Sequence, residues 1–98
     1  MVLTRERALE LYRQMWSDMQ KTLGDDPMPW KRINFKDAWT NEHFPNAKIV
    51  NSCFLCEYVE NENLGCRRCP IEWPGAFCGN YYLTEPISKI LALPEGEA

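Results

Sequence analysis

Two cysteine pairs at the same short spacing, Cys53-Phe-Leu-Cys56 and Cys66-Arg-Arg-Cys69, constrain this chain more than any other feature. Two residues between cysteines let a tight turn present both sulfurs to one ion. Two such hooks supply the four thiolates of a closed tetrahedral zinc site. The nine residues from Glu57 to Gly65 are polar and include Asn61, Asn63 and Gly65, which suits a reversing loop between the hooks. Cys78 is a fifth cysteine, one more than a single zinc takes. It is either a small buried hydrophobe or a replacement for Cys66 or Cys69, folded back by the Trp73-Pro74-Gly75 turn.

The other readings of the cysteines have less support. Disulfides fit poorly with an odd cysteine count, a first segment interrupted by Arg5, Glu6 and Arg7, and no Asn-x-Ser/Thr acceptor. Thioredoxin-like redox chemistry needs a βαβ setting that the pattern lacks. Iron in a rubredoxin-like site takes the same paired spacing as zinc, and metal analysis separates the two. His43, the single histidine, lies ten residues before Cys53 and reads as surface or helix-end structure. No nucleophile and base pair, phosphate-binding glycine loop or deaminase pattern appears, so the chain does not read as an enzyme.

A zinc knot suits a chain this short. With 98 residues there is material for one core, and domains of this size often lean on a metal. Thr4 is placed to cap a helix over 5–23, with Ala8, Leu11, Tyr12, Met15, Trp16, Met19 and Leu23 forming its apolar stripe and Gly24 ending it. Pro27, Pro29 and Trp30 predict a loop, and Asn34 with Asp37 a capping pair for a short helix over 35–41. The zinc knot then covers 49–80 with a few short strands, and Thr84 and Pro86 open a last helix over 85–93. The tail beyond it, Glu95 to Ala98, is expected to fray. The expected fold is a small single α+β zinc-binding domain, with N-terminal amphipathic and C-terminal helices packed around a four-cysteine zinc knot.

Charge narrows the partners. The formal net charge is −3, and four zinc-bound thiolates would make it −5, against the basic surface that nucleic acid requires. A nucleic-acid-binding or transcription-modulating zinc finger survives as the alternative only through Arg67, Arg68 and the helix-borne Arg5, Arg7 and Arg13. No apolar run reaches the roughly 20 residues of a membrane span, so an intracellular, cytoplasmic protein without membrane contact is expected. Twelve percent aromatic residues and four methionines are more than a small domain hides easily. Trp30 in its loop and Tyr82 of the Tyr81-Tyr82 pair are the candidate contacts for a protein partner, while Trp73 is read as a cover for the metal.

The stretches ERALELYRQMW, HFPNAKIVNSCFLCEY, CRRCPIEWPG and ISKILALPE together resemble a family of small bacteriophage and prophage proteins. That family carries Cys-x-x-Cys-x-Tyr followed by Cys-x-x-Cys-Pro-Ile/Leu-x-Trp. The resemblance covers most of the chain. It implies a phage accessory protein, at work in a bacterial host, with Cys53, Cys56, Cys66, Cys69 and Cys78 at the family's cysteine positions. It implies a protein-interaction role on a host or phage protein, and no reaction.

Overall fold

The fold is built around one long helix whose sequence spells its burial. In the computed structural model, which describes residues 3–45, 54–61, 69–74 and 80–96, helix α1 spans Arg5–Leu23. The Thr4 side chain accepts from the Arg7 N–H at 3.1 Å, satisfying one of the donors a helix start leaves open. At the other end Gly24 takes φ +88° and donates to the Gln20 carbonyl, a conformation that favours glycine. Between these caps Ala8, Leu9, Leu11, Tyr12, Met15, Trp16 and Met19 are buried. Helices α2 (Pro29–His43), α3 (Phe54–Asn61) and α5 (Ile87–Leu91) all pack on α1, and the short α4 (Tyr81–Thr84) joins α2 to α5.

Among the described residues the fold therefore has five helices and no strand, which corrects the α+β expectation. The only β pairing among them is an isolated antiparallel bridge between Ile71 and Glu95. No group of three or more His, Cys, Asp or Glu among the described residues could hold a metal ion. What organises the described residues is an apolar core, in which Phe54 and Leu55 of α3, Trp39 of α2 and Ile87 and Ile90 of α5 close over the α1 stripe. A radius of gyration of 12.7 Å matches the roughly 13 Å of a packed domain of about 100 residues.

Three element boundaries depart from the sequence reading, each for a physical reason. Helix α2 starts at Pro29, inside the expected loop, because proline at the first helical position has no N–H to leave unpaired. Asn34 and Asp37 lie mid-helix and exposed, so they do not form a cap. Helix α3 occupies part of the expected knot, burying Phe54, Leu55 and Val59. In place of the expected helix over 85–93, α5 spans only Ile87–Leu91, and a separate unexpected turn of helix, α4, ends before it at Thr84, since Pro86 cannot donate back to the Tyr82 carbonyl.

The C-terminal segment is also held, as far as Gly96. The Gly96 N–H donates to the Pro70 carbonyl at 2.7 Å and the Glu72 N–H to the Pro94 carbonyl at 2.9 Å. Arg5 bonds the Gly96 carbonyl at 2.7 Å, and Glu95 lies 3.9 Å from Arg5 and 3.7 Å from Arg13. The Gly96 backbone passes so near that a β-carbon there would sit 3.2 Å from the Cys69 carbonyl oxygen.

Candidate protein-docking surface

The start of α2 turns apolar residues outward. Met28, Trp30 and Ile33 are 59%, 57% and 45% exposed, and they are the large hydrophobics left open among the described residues. Trp30 and Ile33 are three apart and so share a helix face with Asp37. The Lys31 ammonium stands 5.6 Å from the centre of the Trp30 ring. No hydrogen bond from the Trp30 indole to a described residue forms.

The inward face of the same helix explains this inversion. Its buried residues are Arg32, Lys36 and Trp39. Arg32 is fully buried, and its guanidinium donates to four oxygens. They are the carbonyls of Pro27 at 2.9 Å, Tyr82 at 3.0 Å and Glu85 at 2.6 Å, and the Asp26 carboxylate at 3.2 Å. The Tyr82 carbonyl is the acceptor left open by Pro86, so Arg32 completes the end of α4 from another helix. Burial lowers the Arg32 pKa, while the carboxylates of Asp26, Asp25 and Glu85 act to raise it. Lys36 is 4% exposed, with its ammonium 4.6 Å from the centre of the Tyr82 ring and 5.8 Å from that of Trp16.

Asp25 holds the loop before α2 against α5. Its carboxylate accepts from the Gln20 amide at 2.9 Å, the Ser88 N–H at 2.7 Å and the Ser88 hydroxyl at 2.8 Å. Its carbonyl accepts from the Ile87 N–H at 2.7 Å. These bonds, led by that from Gln20, hold the Asp25 carboxyl below its ordinary value. Asp25 and Asp26 thus brace the segment that displays Met28 and Trp30. An exposed apolar face on a braced support is pre-organised for contact.

The remaining predicted site residues are dispersed. Tyr82 is half-buried beneath Lys36 rather than displayed beside Trp30. Trp73 is mostly buried, edge-on to Tyr12 and Tyr81, and donates its indole N–H to the Cys69 sulfur at 3.4 Å. Cys56 and Cys69 are each half-buried, while Cys53, Cys66 and Cys78 lie outside the described residues. His43 ends α2, stacked on Trp39 at 3.8 Å with its Nδ1 2.9 Å from the Trp39 carbonyl. It borders an open groove of about 570 Å³ with Asp18, Lys21, Phe35 and Glu42.

The sequence reading found Trp30 but missed Met28 and Ile33. The available signal was apolar residues at 30 and 33 out of phase with Phe35 and Trp39. No described helix is long and apolar enough to cross a membrane. Comparison with protein families, with curated proteins and with solved structures finds no match.

Proposed function

We propose that this chain is a protein-interaction module that docks through the Met28, Trp30 and Ile33 face of α2, and that it works in a phage setting. The observation that carries the reading is the pairing of that apolar exposure with the bonds of the buried Arg32 and of the surface carboxylate Asp25 that fix it in place. Rigid tryptophans with one open face are frequent anchors of interfaces. The phage setting is supported by the likeness of the cysteine motifs. The test is a photo-reactive phenylalanine analogue at position 30, compared with one at the exposed Gln14 of α1, in living bacterial cells. A discrete protein adduct from position 30 and none from position 14 is expected. Equal yields from both positions would remove the reading.

The cysteine pairs are proposed to bind one zinc ion. The paired spacing supports this, as does the Trp73 indole directed at the Cys69 sulfur, since donors to a ligating sulfur tune and orient it. Cys56 and Cys69 are two of the thiols that would hold the ion. Elemental analysis of the purified chain is expected to return one zinc per chain, and a metal-free sample sinks the assignment.

A further inference from the structure

The interior of the molecule changes the charge that a partner meets at α2. From Asp25 to His43 the sequence carries three cations, Lys31, Arg32 and Lys36, against four carboxylates, Asp25, Asp26, Asp37 and Glu42. That is nearly balanced. Folding withdraws Arg32 and Lys36 from solvent, at 0% and 4% exposure, while all four carboxylates and Lys31 stay exposed. Arg32 offsets Asp26 from beneath at 3.2 Å but leaves that carboxylate side chain 73% open. The surface around Met28, Trp30 and Ile33 thus keeps one exposed cation, Lys31 at the Trp30 ring, against carboxylates at its edges, with Asp26 just before the face and Asp37 one turn beyond Ile33.

From this arrangement we propose that the α2 face takes a cationic amphipathic segment of a protein partner, with apolar side chains seated on Trp30 and Ile33 and flanking Lys or Arg residues meeting Asp26 and Asp37. The proposal rests on the reading of that face as a docking surface and adds the chemistry of what docks there. Charge complementarity selects the occupant. A second copy would bring the same acidic rim and the same negative net charge, and like charges facing each other oppose association. Anionic lipid and nucleic acid meet the same repulsion.

The probe is a synthetic amphipathic helical peptide with leucine on one face and lysine on the other, beside its counterpart with glutamate for each lysine. Binding to the full chain is read by fluorescence anisotropy at low salt and at about 0.15 M salt, where exposed charges are partly screened. The lysine peptide is expected to bind and to weaken with salt, and the glutamate peptide not to bind. Asp37→Lys should weaken the lysine peptide about three- to tenfold, the range expected when an exposed ion pair is replaced by a repulsion. Trp30→Ala should weaken it about 30-fold, as loss of an interface anchor does, with an unchanged melting curve. If the glutamate peptide binds equally well, or Asp37→Lys has no effect while Trp30→Ala does, the charge assignment fails and the docking face stands. If the lysine peptide does not bind, or binds independently of Trp30, the proposal is overturned together with that reading.

Discussion

Arg32 ties the loop before α2 and the end of α4 to α2. Its guanidinium replaces the water that the Pro27, Tyr82 and Glu85 carbonyls would otherwise bind. A planar group with several fixed donors can reach all three, which a lysine ammonium cannot. Arg32→Met should therefore destabilise the chain by about 1–3 kcal/mol for each buried carbonyl it leaves without a donor, while the exposed Asp26 is freed to water. Arg32→Lys should recover little of that, because at least one carbonyl stays unpaired at about 1–3 kcal/mol. Asp26→Asn, at the exposed end of the same network, should cost about 1 kcal/mol or less. Urea denaturation of the three variants checks the order. A mild Arg32→Met would mean that water replaces the guanidinium at no great cost.

At the scale of elements, legibility in the sequence follows from how each helix is buried. Helix α1 was legible to the residue because its inward face is apolar at intervals of three and four and both ends carry side-chain or glycine caps. Helix α2 was not, because Arg32 and Lys36 occupy inward positions while Trp30 and Ile33 face out. Burial of a cation depends on distant carbonyls and rings that no local pattern announces. Helix α3 was hidden by the cysteine spacing, which drew the reading of 49–80 toward a knot. Trp30 was legible as an exposed aromatic, yet its support was not, since Asp25 reaches α5 across 63 positions. That brace carries its own test. Because the Asp25 carboxyl is held below its ordinary value of 3.8, its contribution is complete above that value and is lost as pH falls through the lower folded one. Asp25→Ala should lower the melting temperature at neutral pH, and the gap from the parent chain should close below about pH 4. A gap that does not narrow at all as the pH is taken below 3.8 would show that Asp25 acts through something other than its ionised form. The C-terminal segment was illegible because it is held largely by backbone groups. Removing residues 94–98 should raise amide exchange at Glu72, whose N–H loses the Pro94 carbonyl, while leaving α1 protected.

At the scale of the whole molecule the apolar residues divide into a set that holds the helices together and a set that faces outward, and two tryptophans measure the division. Trp16 is almost fully buried on α1, edge-on to Tyr12 and beneath the Lys36 ammonium. It sits in the helix that α2, α3 and α5 all use as their packing partner. Truncating it leaves a void that close-packed neighbours cannot refill, so Trp16→Ala should cost about 3–5 kcal/mol. That is a large share of the roughly 5–15 kcal/mol that separates a folded domain from its unfolded chain. Trp30→Ala should change stability by about 0.5 kcal/mol or less, the usual range for an exposed position. Because the helices share one core, far-UV circular dichroism and tryptophan fluorescence should report a single coincident unfolding transition in each variant. If Trp30→Ala is as damaging as Trp16→Ala, the α2 face is part of the structure's own support and is not held open for a partner. If instead the two probes separate in the Trp16→Ala chain, the helices around α1 do not unfold as one unit.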